Sequence, residues 1–230
     1  MENKKVSIVI PVYNEEGTIA EVIEKTKKLE LLVRKEIIVV DDGSSDGSYE
    51  IARKIRGIKL VKHEVNRGKG AAIKTGLEHS TGDIFIVQDA DMELDPKEIP
   101  KIIMPIVNNE AQVVYGSRNP SIWKINKQPL FYLGGILITK IANILYHTKL
   151  TDEPCGYKAF DTNLLKSIKT EEDGFGWEPE ITAKIAKRGI KIYEVIIDFN
   201  SSRTEKEGKK LRASDGLKAA YILIKYKFRN

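Results

Sequence analysis

Cysteine, histidine and long apolar runs are scarce in this chain, and each scarcity excludes a class of protein or site. The 230 residues include one cysteine, Cys155, and three histidines. An internal disulfide is therefore excluded, and a reducing compartment such as the cytoplasm is expected. The histidines stand apart, without the spacing of metal ligands. The best candidate for a membrane span, residues 130–146, is too short and contains Lys140, so we predict no transmembrane segment.

Length and composition indicate one globular domain with a sizeable core. Hydrophobic residues make up 41% of the chain, and 230 residues suit a single domain. No repeat, low-complexity tract or linker divides the sequence. Charged residues at positions 2, 4 and 5 lead straight into the first strand-like run, so no signal peptide is expected. We therefore expect residues 1–230 to form one domain.

Two aspartates follow an apolar run that is typical of a buried strand in a parallel sheet. The run is Ile84–Val87, and Asp89 and Asp91 lie just beyond its carboxyl end, where open α/β sheets bind ligands. Unpaired buried carboxylates are costly, so a divalent cation carrying a phosphorylated ligand would satisfy both. Glu93 adds a third oxygen ligand suited to Mg²⁺ or Mn²⁺. The alternative is an acidic turn, because the Asp-Pro at residues 95–96 opens a helical stretch.

Three earlier apolar runs have the same form, each leading into polar residues. They span residues 6–10, 37–40 and 58–61, and helical stretches separate them near residues 16–31, 46–56 and 70–79. This alternation predicts an α/β fold with a mostly parallel central sheet flanked by helices and joined by right-handed crossovers. Because parallel strands end at a shared edge, acids, glycines and Tyr13 are expected to gather there. That is the layout of a nucleotide site.

The Gly-Lys-Gly at residues 68–70 lies at a predicted helix start, where backbone N–H groups and small residues allow an anion to approach. It lacks the Gly-Lys-Ser/Thr order of a Walker loop and the third glycine of a dinucleotide fingerprint. Kinases and dehydrogenases are therefore disfavoured.

Four segments at the predicted strand ends together resemble the inverting family-two glycosyltransferases, which have a GT-A fold. They read SIVIPVYNEE, IIVVDDGSSDGS, NRGKGAAIKTGL and GDIFIVQDAD. The second half is similar to the polyprenyl-phosphate branch, the dolichyl-phosphate mannose or glucose synthases, through VVYGSRN, TDEPCGYKAF, GFGWEPEITAKIAKRG and RTEKEGKKL. The resemblance implies one GT-A-type nucleotide-binding domain. Its nucleotide-sugar-binding half would be residues 1–116, and its acceptor-binding half residues 117–230, ending in a basic amphipathic helix.

The resemblance also implies roles for individual residues. The nucleoside would be held by Pro11, Tyr13, Glu15, Val40, Asp42, Asp89 and Ala90. Asp91 and Glu93 would hold the metal on the donor diphosphate, although many relatives carry Gln at the second position. Asp89, Asp91 and Arg118 are the expected catalytic residues. A polar loop that could fold over the diphosphate, or else stay solvated, contains Arg203, Lys209 and Lys210.

The chemistry of the acceptor decides whether a general base is required. A sugar or protein hydroxyl needs a base within reach, whereas a lipid monophosphate is already ionised near neutral pH, because its second pKa is about 6. The phosphate needs cations to orient it, and Arg118 after a predicted strand suits that task. Glu178 is the candidate base for a hydroxyl acceptor. Acids at positions 178 and 180 are also typical of a helix N-terminus, and we favour that second interpretation.

The end of the chain carries an excess of positive charge. Residues 200–230 contain nine Lys or Arg and three acids, a surplus of six, whereas the whole chain has a surplus of five. A helical apolar stripe accompanies it, formed by Leu217, Ala220, Tyr221, Ile224 and Phe228. Such a helix can lie on an anionic membrane surface or pack on the domain, and the 130–146 helix has the same two possibilities. We expect a peripheral protein on the cytoplasmic face of a membrane; the sequence does not identify a membrane-spanning partner.

The resemblance implies metal-dependent, inverting transfer of a hexose from a nucleotide diphosphate sugar, of the GDP-mannose or UDP-glucose type, to dolichyl or polyprenyl phosphate. One alternative is a glycosyltransferase whose acceptor is a sugar or protein hydroxyl. The other is a non-catalytic nucleotide-sugar-binding membrane subunit, against which the intact acids at positions 89, 91 and 93 argue. No nucleic-acid partner is expected. The sequence does not choose between GDP and UDP or among hexoses.

Overall fold

A computed structural model describes residues 4–118, 129–199 and 213–229 of the chain. The strands are β1 Lys5–Val12, β2 Arg34–Asp41, β3 Lys59–Lys62, β4 Ile84–Val87, β5 Val113–Arg118, β6 Lys158–Asp161 and β7 Tyr193–Ile197. The helices are α1 Ile19–Lys28, α2 Ser48–Arg53, α3 Lys69–Glu78, α4 Ile99–Val107, α5 Pro129–Tyr146, α6 Thr162–Lys166, α7 Trp177–Lys187 and α8 Ala213–Phe228. One 3₁₀ turn, Pro96–Glu98, precedes α4.

The seven described strands form one sheet in the order β3-β2-β1-β4-β6-β5-β7. β6 pairs antiparallel with β4 and β5, and every other pair is parallel. β1 lies inside the sheet, with Ile8 beside Ile37 of β2 and Ile86 of β4. Parallel neighbours need a crossover connection, which the helices supply. A mostly parallel sheet with flanking helices confirms the predicted fold class.

Side chains on the central strands alternate between two cores, one on each face of the sheet. On β1, Val6, Ile8 and Ile10 pack in the first core and Val9 packs in the second, where Val40 of β2 joins it. All four residues of β4 are buried. Helices cover both faces, which explains why these strands read as continuous apolar runs rather than as alternating ones.

A third core joins α5, α7 and α8. It is made of Ile138, Ala142, Tyr146, Ala183, Ala219, Ile222, Leu223 and Tyr226. The Tyr146 hydroxyl donates to the Leu223 carbonyl at 2.6 Å and fixes α5 against α8. Both helices therefore bury one face, as a core helix does. Of the helices in the described ranges, none is long and apolar enough to cross a membrane.

The apolar stripe of α8 lies on a different face from the one that packs. Leu217 is 78% exposed and Phe228 is 84% exposed, and Tyr221 and Ile224 are exposed as well. Packing of this stripe on the domain, the alternative drawn from the sequence, is therefore wrong for these four side chains. α5 also combines its packed face with exposed apolar residues, which are Leu133, Leu137 and Ile144. Two helices in contact with one another thus keep apolar side chains on the surface.

Glu36 on β2 ties three segments together at the amino edge of the sheet. Its carboxylate accepts from Lys5 Nζ at 2.8 Å, from the Ser7 hydroxyl at 2.5 Å and from the Thr81 backbone N–H at 2.8 Å. Burial opposes ionisation of Glu36, but these hydrogen bonds outweigh burial and lower its pKa to about 2. The charged carboxylate therefore holds the start of β1 and the turn before β4 beside β2.

The depressed pKa of Glu36 predicts a loss of stability in acid. The pKa is about 2 in the folded chain and near the usual value of 4.5 in the unfolded chain. The stabilising contribution is thus fully present above pH 4.5 and is lost as the pH falls from 4.5 to 2. Glu36→Gln should lower the urea midpoint at pH 7 and flatten its dependence on pH across that window. Glu21→Gln, in an exposed pair with Lys25, should leave both unchanged. Parallel pH curves for wild type and Glu36→Gln would contradict the assignment.

Candidate active site

One cavity of about 920 Å³ opens at the carboxyl edge of the sheet. Its polar side is formed by the segments that follow β1, β2 and β4 and by the end of β5, and residues of α5, α7 and α8 complete its wall. The predicted site residues that line it are Pro11, Tyr13, Glu15, Asp42, Asp89, Ala90, Asp91, Glu93 and Arg118. Residues far apart in the sequence are thus gathered at one place because parallel strands end at the same edge.

Val40 is not among the residues that line this cavity. Its side chain is fully buried in the second core with Val9 and Ile38, because a strand sends alternate side chains to opposite faces of the sheet. The Val40 side chain therefore does not line the cavity, and a contact of Val40 with the nucleoside stays a prediction. Arg203, Lys209 and Lys210 lie outside the described residues, so their contact with the donor diphosphate stays a prediction.

The loops after β1 and β2 are tied together and hold Tyr13 and Glu15 at the cavity. The backbone N–H of Asn14 donates to the Ser44 hydroxyl at 3.0 Å, and that of Glu15 donates to the Ser48 hydroxyl at 2.7 Å. Asn14 has a φ of 50°, a left-handed conformation that asparagine adopts more readily than most residues. The polar residues that the sequence places in a tight turn therefore also fix the neighbouring loop.

Asp42 organises the loop that precedes α3. Its carboxylate lies 2.7 Å from His63 Nδ1, and it accepts from Asn66 Nδ2 at 3.0 Å, Arg67 N at 3.0 Å and Gly68 N at 2.7 Å. Gly68 has a φ of 103°, which glycine adopts without steric cost. These contacts give Asp42 a structural role that the sequence did not predict, and its contact with the nucleoside stays a prediction.

Lys69 joins two carboxylates inside the cleft. Its Nζ lies 2.7 Å from Asp89 Oδ1 and 2.9 Å from Glu178 Oε1. Burial disfavours the ammonium charge, but the charges of Asp89 and Glu178 outweigh burial and raise the pKa of Lys69 well above its usual range. Lys69 therefore stays charged throughout the physiological range. The sequence placed it beside an anion only through its neighbouring glycines and did not identify these partners.

The glycines flanking Lys69 serve contact with the chain itself. A Cβ at Gly68 would lie 2.5 Å from the Asp173 carbonyl oxygen, and one at Gly70 would lie 2.6 Å from the Glu172 carbonyl oxygen. Glycine at both positions allows the start of α3 to pack against the segment before α7. The sequence predicted that an anion approaches this motif closely. In the structure the backbone of residues 172–173 approaches it closely, and this packing brings Lys69 within reach of Glu178 on α7.

Glu178 and Glu180 do not cap α7 with their carboxylates, although the sequence favoured that role. Glu178 reaches Lys69, and its second oxygen, Oε2, is buried without a hydrogen-bond partner among the described residues. The Glu180 carboxylate accepts from the backbone N–H groups of Glu171 and Glu172 and pairs with Lys184. Both acids lie in the first turn of the helix, as is typical of a helix start. Their carboxylates, however, contact residues outside the first turn rather than the helix N-terminus.

Asp91 and Glu93 form the acidic turn after β4. The backbone N–H of Glu93 donates to Asp91 Oδ1 at 3.0 Å, and Met92 between them is held at a φ of 62°. Burial, and then the charges of Asp89 and Glu93, raise the pKa of Asp91 to about 7. Like charges gathered in a buried place call for a cation that can compensate them.

The charges along the cavity fit a divalent cation. Its described lining includes eight acids, at positions 15, 42, 89, 91, 93, 153, 178 and 215, and two cations, Lys69 and Arg118. Carboxylate oxygens are the ligands preferred by Mg²⁺ and Mn²⁺, and Asp91 and Glu93 are the residues that would hold such an ion. No three acidic, histidine or cysteine side chains in the described ranges are already grouped as a metal cluster. The two ligands therefore stay a prediction.

Arg118 is the last residue of β5 and lines the cavity. In the sheet, β4 and β6 lie between β5 and β1. Its Nε and Nη2 donate to the two oxygens of Asp152 at 2.6 and 2.7 Å. The guanidinium also lies 5.2 Å from the centre of the Phe199 ring. A fixed guanidinium on the wall of a cleft can bind a phosphate through its remaining N–H groups.

Comparison with known proteins identifies relatives across nearly the whole chain. The family model for glycosyl transferase family 2 matches residues 7–169. A dolichol-phosphate mannosyltransferase of Pyrococcus furiosus is 29% identical, with 96% of this chain and 64% of the relative covered. A UDP-N-acetylglucosamine–dolichyl-phosphate N-acetylglucosaminyltransferase of Methanococcus voltae is 30% identical, with 74% of this chain and 75% of the relative covered.

Solved structures agree in fold. A crystal structure of glucosyl-3-phosphoglycerate synthase from Mycobacterium tuberculosis with Mn²⁺, UDP-glucose and phosphoglyceric acid has a TM-score of 0.75 and 23% identity. The match covers 97% of this chain and 80% of that one. At this level of identity the likeness shows a shared fold, and that protein is a GT-A glycosyltransferase.

The acidic turn generates a prediction about metal binding. Asp91→Asn should abolish the rise in melting temperature that saturating Mn²⁺ causes in the wild type, since a ligand at 100 times its Kd stabilises a protein by about 2.7 kcal/mol. The melting temperature without metal should be unchanged or higher, because the substitution removes a buried carboxylate from a group of like charges. Thermal unfolding with and without Mn²⁺ measures both quantities.

Asp83→Asn is the matched control, because Asp83 lies just before β4, at the other end of that strand from Asp91. It should keep the full Mn²⁺ effect. A normal Mn²⁺ effect in Asp91→Asn would remove Asp91 from the ligand set.

Proposed function

The chain belongs to glycosyl transferase family 2, and we propose that it transfers a hexose, with inversion, from a nucleotide diphosphate sugar to a dolichyl or polyprenyl phosphate at a membrane surface. The observation that carries the proposal is one cavity that joins the acidic carboxyl edge of the sheet to Arg118 and to two helices with apolar surfaces. A donor with a diphosphate and an acceptor with a phosphate head and an apolar tail fit those three regions.

The donor side uses the loops at the ends of β1, β2 and β4. Tyr13 and Glu15 line the part of the cavity next to Asp42, where an aromatic ring and acceptor oxygens suit a base and ribose. Asp91 and Glu93 would hold Mg²⁺ or Mn²⁺, which would supply positive charge to the departing nucleoside diphosphate. Lys69 keeps Asp89 in place through their ion pair. The M. tuberculosis enzyme crystallised with Mn²⁺ and UDP-glucose supports such use of a metal.

The acceptor side favours a phosphate nucleophile. A lipid monophosphate is ionised at neutral pH and needs no general base, but it needs a cation that fixes its direction. Arg118 supplies charge and geometry on the cavity wall. The relatives from P. furiosus and M. voltae carry dolichol or dolichyl phosphate in their names, which supports the same acceptor class here.

A hydroxyl acceptor is the second candidate, and one observation favours it. Glu178 lines the cavity, and its Oε2 is buried without a hydrogen-bond partner among the described residues. That oxygen could take a proton from an incoming hydroxyl. Against this, Lys69 already pairs with the other oxygen of the same carboxylate at 2.9 Å, so this carboxylate is already held by the protein itself.

The apolar end of the cavity supports a lipid acceptor at a membrane. Ile138 of α5 and Ala219 of α8 line the cavity, and the outer faces of both helices carry exposed apolar residues. Some of the basic surplus is engaged by the domain itself, because Lys225 pairs with Glu172 and Arg229 pairs with Glu171. Lys218 and Lys227 of α8 also contact the domain, Lys218 at Glu172 and Lys227 at the Leu145 carbonyl. We therefore propose peripheral attachment to the cytoplasmic face of a membrane through α5 and α8.

The donor and acceptor classes are tested together with purified protein. UDP-glucose, GDP-mannose and UDP-N-acetylglucosamine are each incubated with Mn²⁺ and a short polyprenyl phosphate, and products are detected by mass spectrometry. A product equal to the lipid phosphate plus one sugar residue is expected from one donor. Transfer only to added sugars or peptides would reject the phosphate acceptor in favour of a hydroxyl.

Two substitutions separate the acceptor classes. Glu178→Gln should keep most of its turnover with polyprenyl phosphate, because an ionised phosphate needs no general base. Removal of a general base would instead lower turnover by roughly 100-fold or more. Arg118→Ala should raise the KM for the acceptor at least about tenfold, because charge-assisted hydrogen bonds contribute about 1.5–3 kcal/mol. Steady-state kinetics with the lipid phosphate varied gives both values. The reverse pattern, with Glu178→Gln inactive and Arg118→Ala normal, would favour the hydroxyl acceptor.

The exposed stripe of α8 predicts a membrane interaction that depends on salt. Liposomes with anionic lipid should bind the protein at low salt and release it as salt rises, because each well-placed Lys or Arg contributes about 1 kcal/mol and the screening length falls to about 8 Å at physiological salt. Replacing Leu217, Tyr221 and Phe228 together by Gln should weaken cosedimentation at every salt concentration.

The control for this test is Leu32→Gln, because Leu32 is equally exposed but lies between α1 and β2. It should bind liposomes like the wild type. The three substituted residues of α8 and Leu32 are all exposed, so the fold should persist in both variants. Equal binding by the triple variant and the wild type would place any membrane contact elsewhere.

A further inference from the structure

Arg118 lines the cavity, and one of the two hydrogen-bonding edges of its guanidinium is already occupied. Asp152 accepts from Nε and Nη2, and its Oδ2 also accepts from the Arg118 backbone N–H at 2.9 Å. The carboxylate therefore grips both the side chain and the main chain of one residue. In the described part of the chain, no hydrogen bond engages Nη1.

Asp152 is itself fixed by neighbouring strands. Glu194 of β7 accepts from the backbone N–H of Thr151 at 2.9 Å and from that of Asp152 at 3.2 Å. The hydroxyls of Thr151 and Ser117 lie 2.6 Å apart. Because β5 and β7 are paired in the sheet, the Thr151–Asp152 turn has a defined place relative to Arg118. The ion pair is thus held at both ends by the sheet.

A guanidinium has two edges that can bind an anion, one formed by Nε and Nη2 and the other by Nη1 and Nη2. Asp152 takes the first edge, which leaves the second for a ligand, and the Phe199 ring lies 5.2 Å from the guanidinium carbon. We infer that Asp152 is a positioning residue that directs the Nη1–Nη2 edge of Arg118 at the phosphate of the acceptor. This inference rests on the proposed function.

The pairing with Asp152 should weaken the affinity of Arg118 for the acceptor phosphate and fix the orientation of its guanidinium. A carboxylate paired with Arg118 weakens the attraction of that cation for phosphate, because the acceptor meets a largely neutral pair. The same carboxylate removes the rotational freedom of a long side chain. Orientation matters for in-line attack, since misplacement by about 1 Å can reduce rates by about 100-fold. Loss of Asp152 should therefore leave acceptor binding intact or stronger, and turnover slower.

The test compares Asp152→Asn with wild type in transfer to a short polyprenyl phosphate. Asp152→Asn should lower kcat at least tenfold, with the KM and the Kd for the lipid phosphate unchanged or lower. Arg118→Ala should instead raise KM and Kd, since it removes the cation. Asp161→Asn is the matched control: Asp161 ends β6 and accepts from the Leu164 backbone N–H, and it should leave both constants unchanged.

Each outcome bears on the inference. A rise of KM and Kd in Asp152→Asn, or a kcat within twofold of wild type, would overturn it while the proposed function stands. A fall of melting temperature together with loss of nucleotide binding would show that Asp152 is merely structural and would overturn it too. If the wild-type protein transfers no sugar to the lipid phosphate, the proposed function fails first and the inference fails with it.

Discussion

The ion bridge from Lys69 to Asp89 and Glu178 connects the sheet edge to the acceptor side of the cleft. Each of these charges alone, buried in the cleft, would cost several kcal/mol, and removing one partner of such a group leaves an uncompensated charge. The bridge therefore fixes where α3, the end of β4 and α7 meet. The glycines on both sides of Lys69 make this approach possible, because any larger residue would collide with the segment before α7.

Around that bridge the cleft is strongly acidic, with eight carboxylates and two cations in its described lining. Such a charge repels a bare diphosphate, and a divalent cation would offset that repulsion. The wall formed by α5 and α8 includes Ile138 and Ala219, and the exposed faces of these helices carry residues such as Leu137 and Tyr221. A charged donor and a lipid-linked acceptor would meet where the two walls adjoin.

Arg118 also lines this cavity, and its pair with Asp152 favours a fixed orientation of the guanidinium over a strong attraction for phosphate. An unpaired arginine would attract phosphate more strongly but would sample many orientations. Fixing it to β5 and β7 through Asp152 and Glu194 limits the orientations at some loss of affinity. Glu178 is likewise held in place by an ion pair, because Lys69 Nζ lies 2.9 Å from its Oε1.

The sequence by itself determined the mostly parallel sheet and the residues gathered at its carboxyl edge. Apolar runs and the loops that follow them are local patterns, and parallel strands bring their ends together whatever packs around them. Only the tertiary structure decided which groups face one another: Asp152 lies 34 residues from Arg118, and Glu178 meets Lys69 instead of capping its own helix. For Val40, a position at a strand end did not reveal that its side chain packs in the second core. The α8 stripe stayed exposed because packing used its other face. Such pairings depend on distances between segments remote in sequence, which periodicity does not encode.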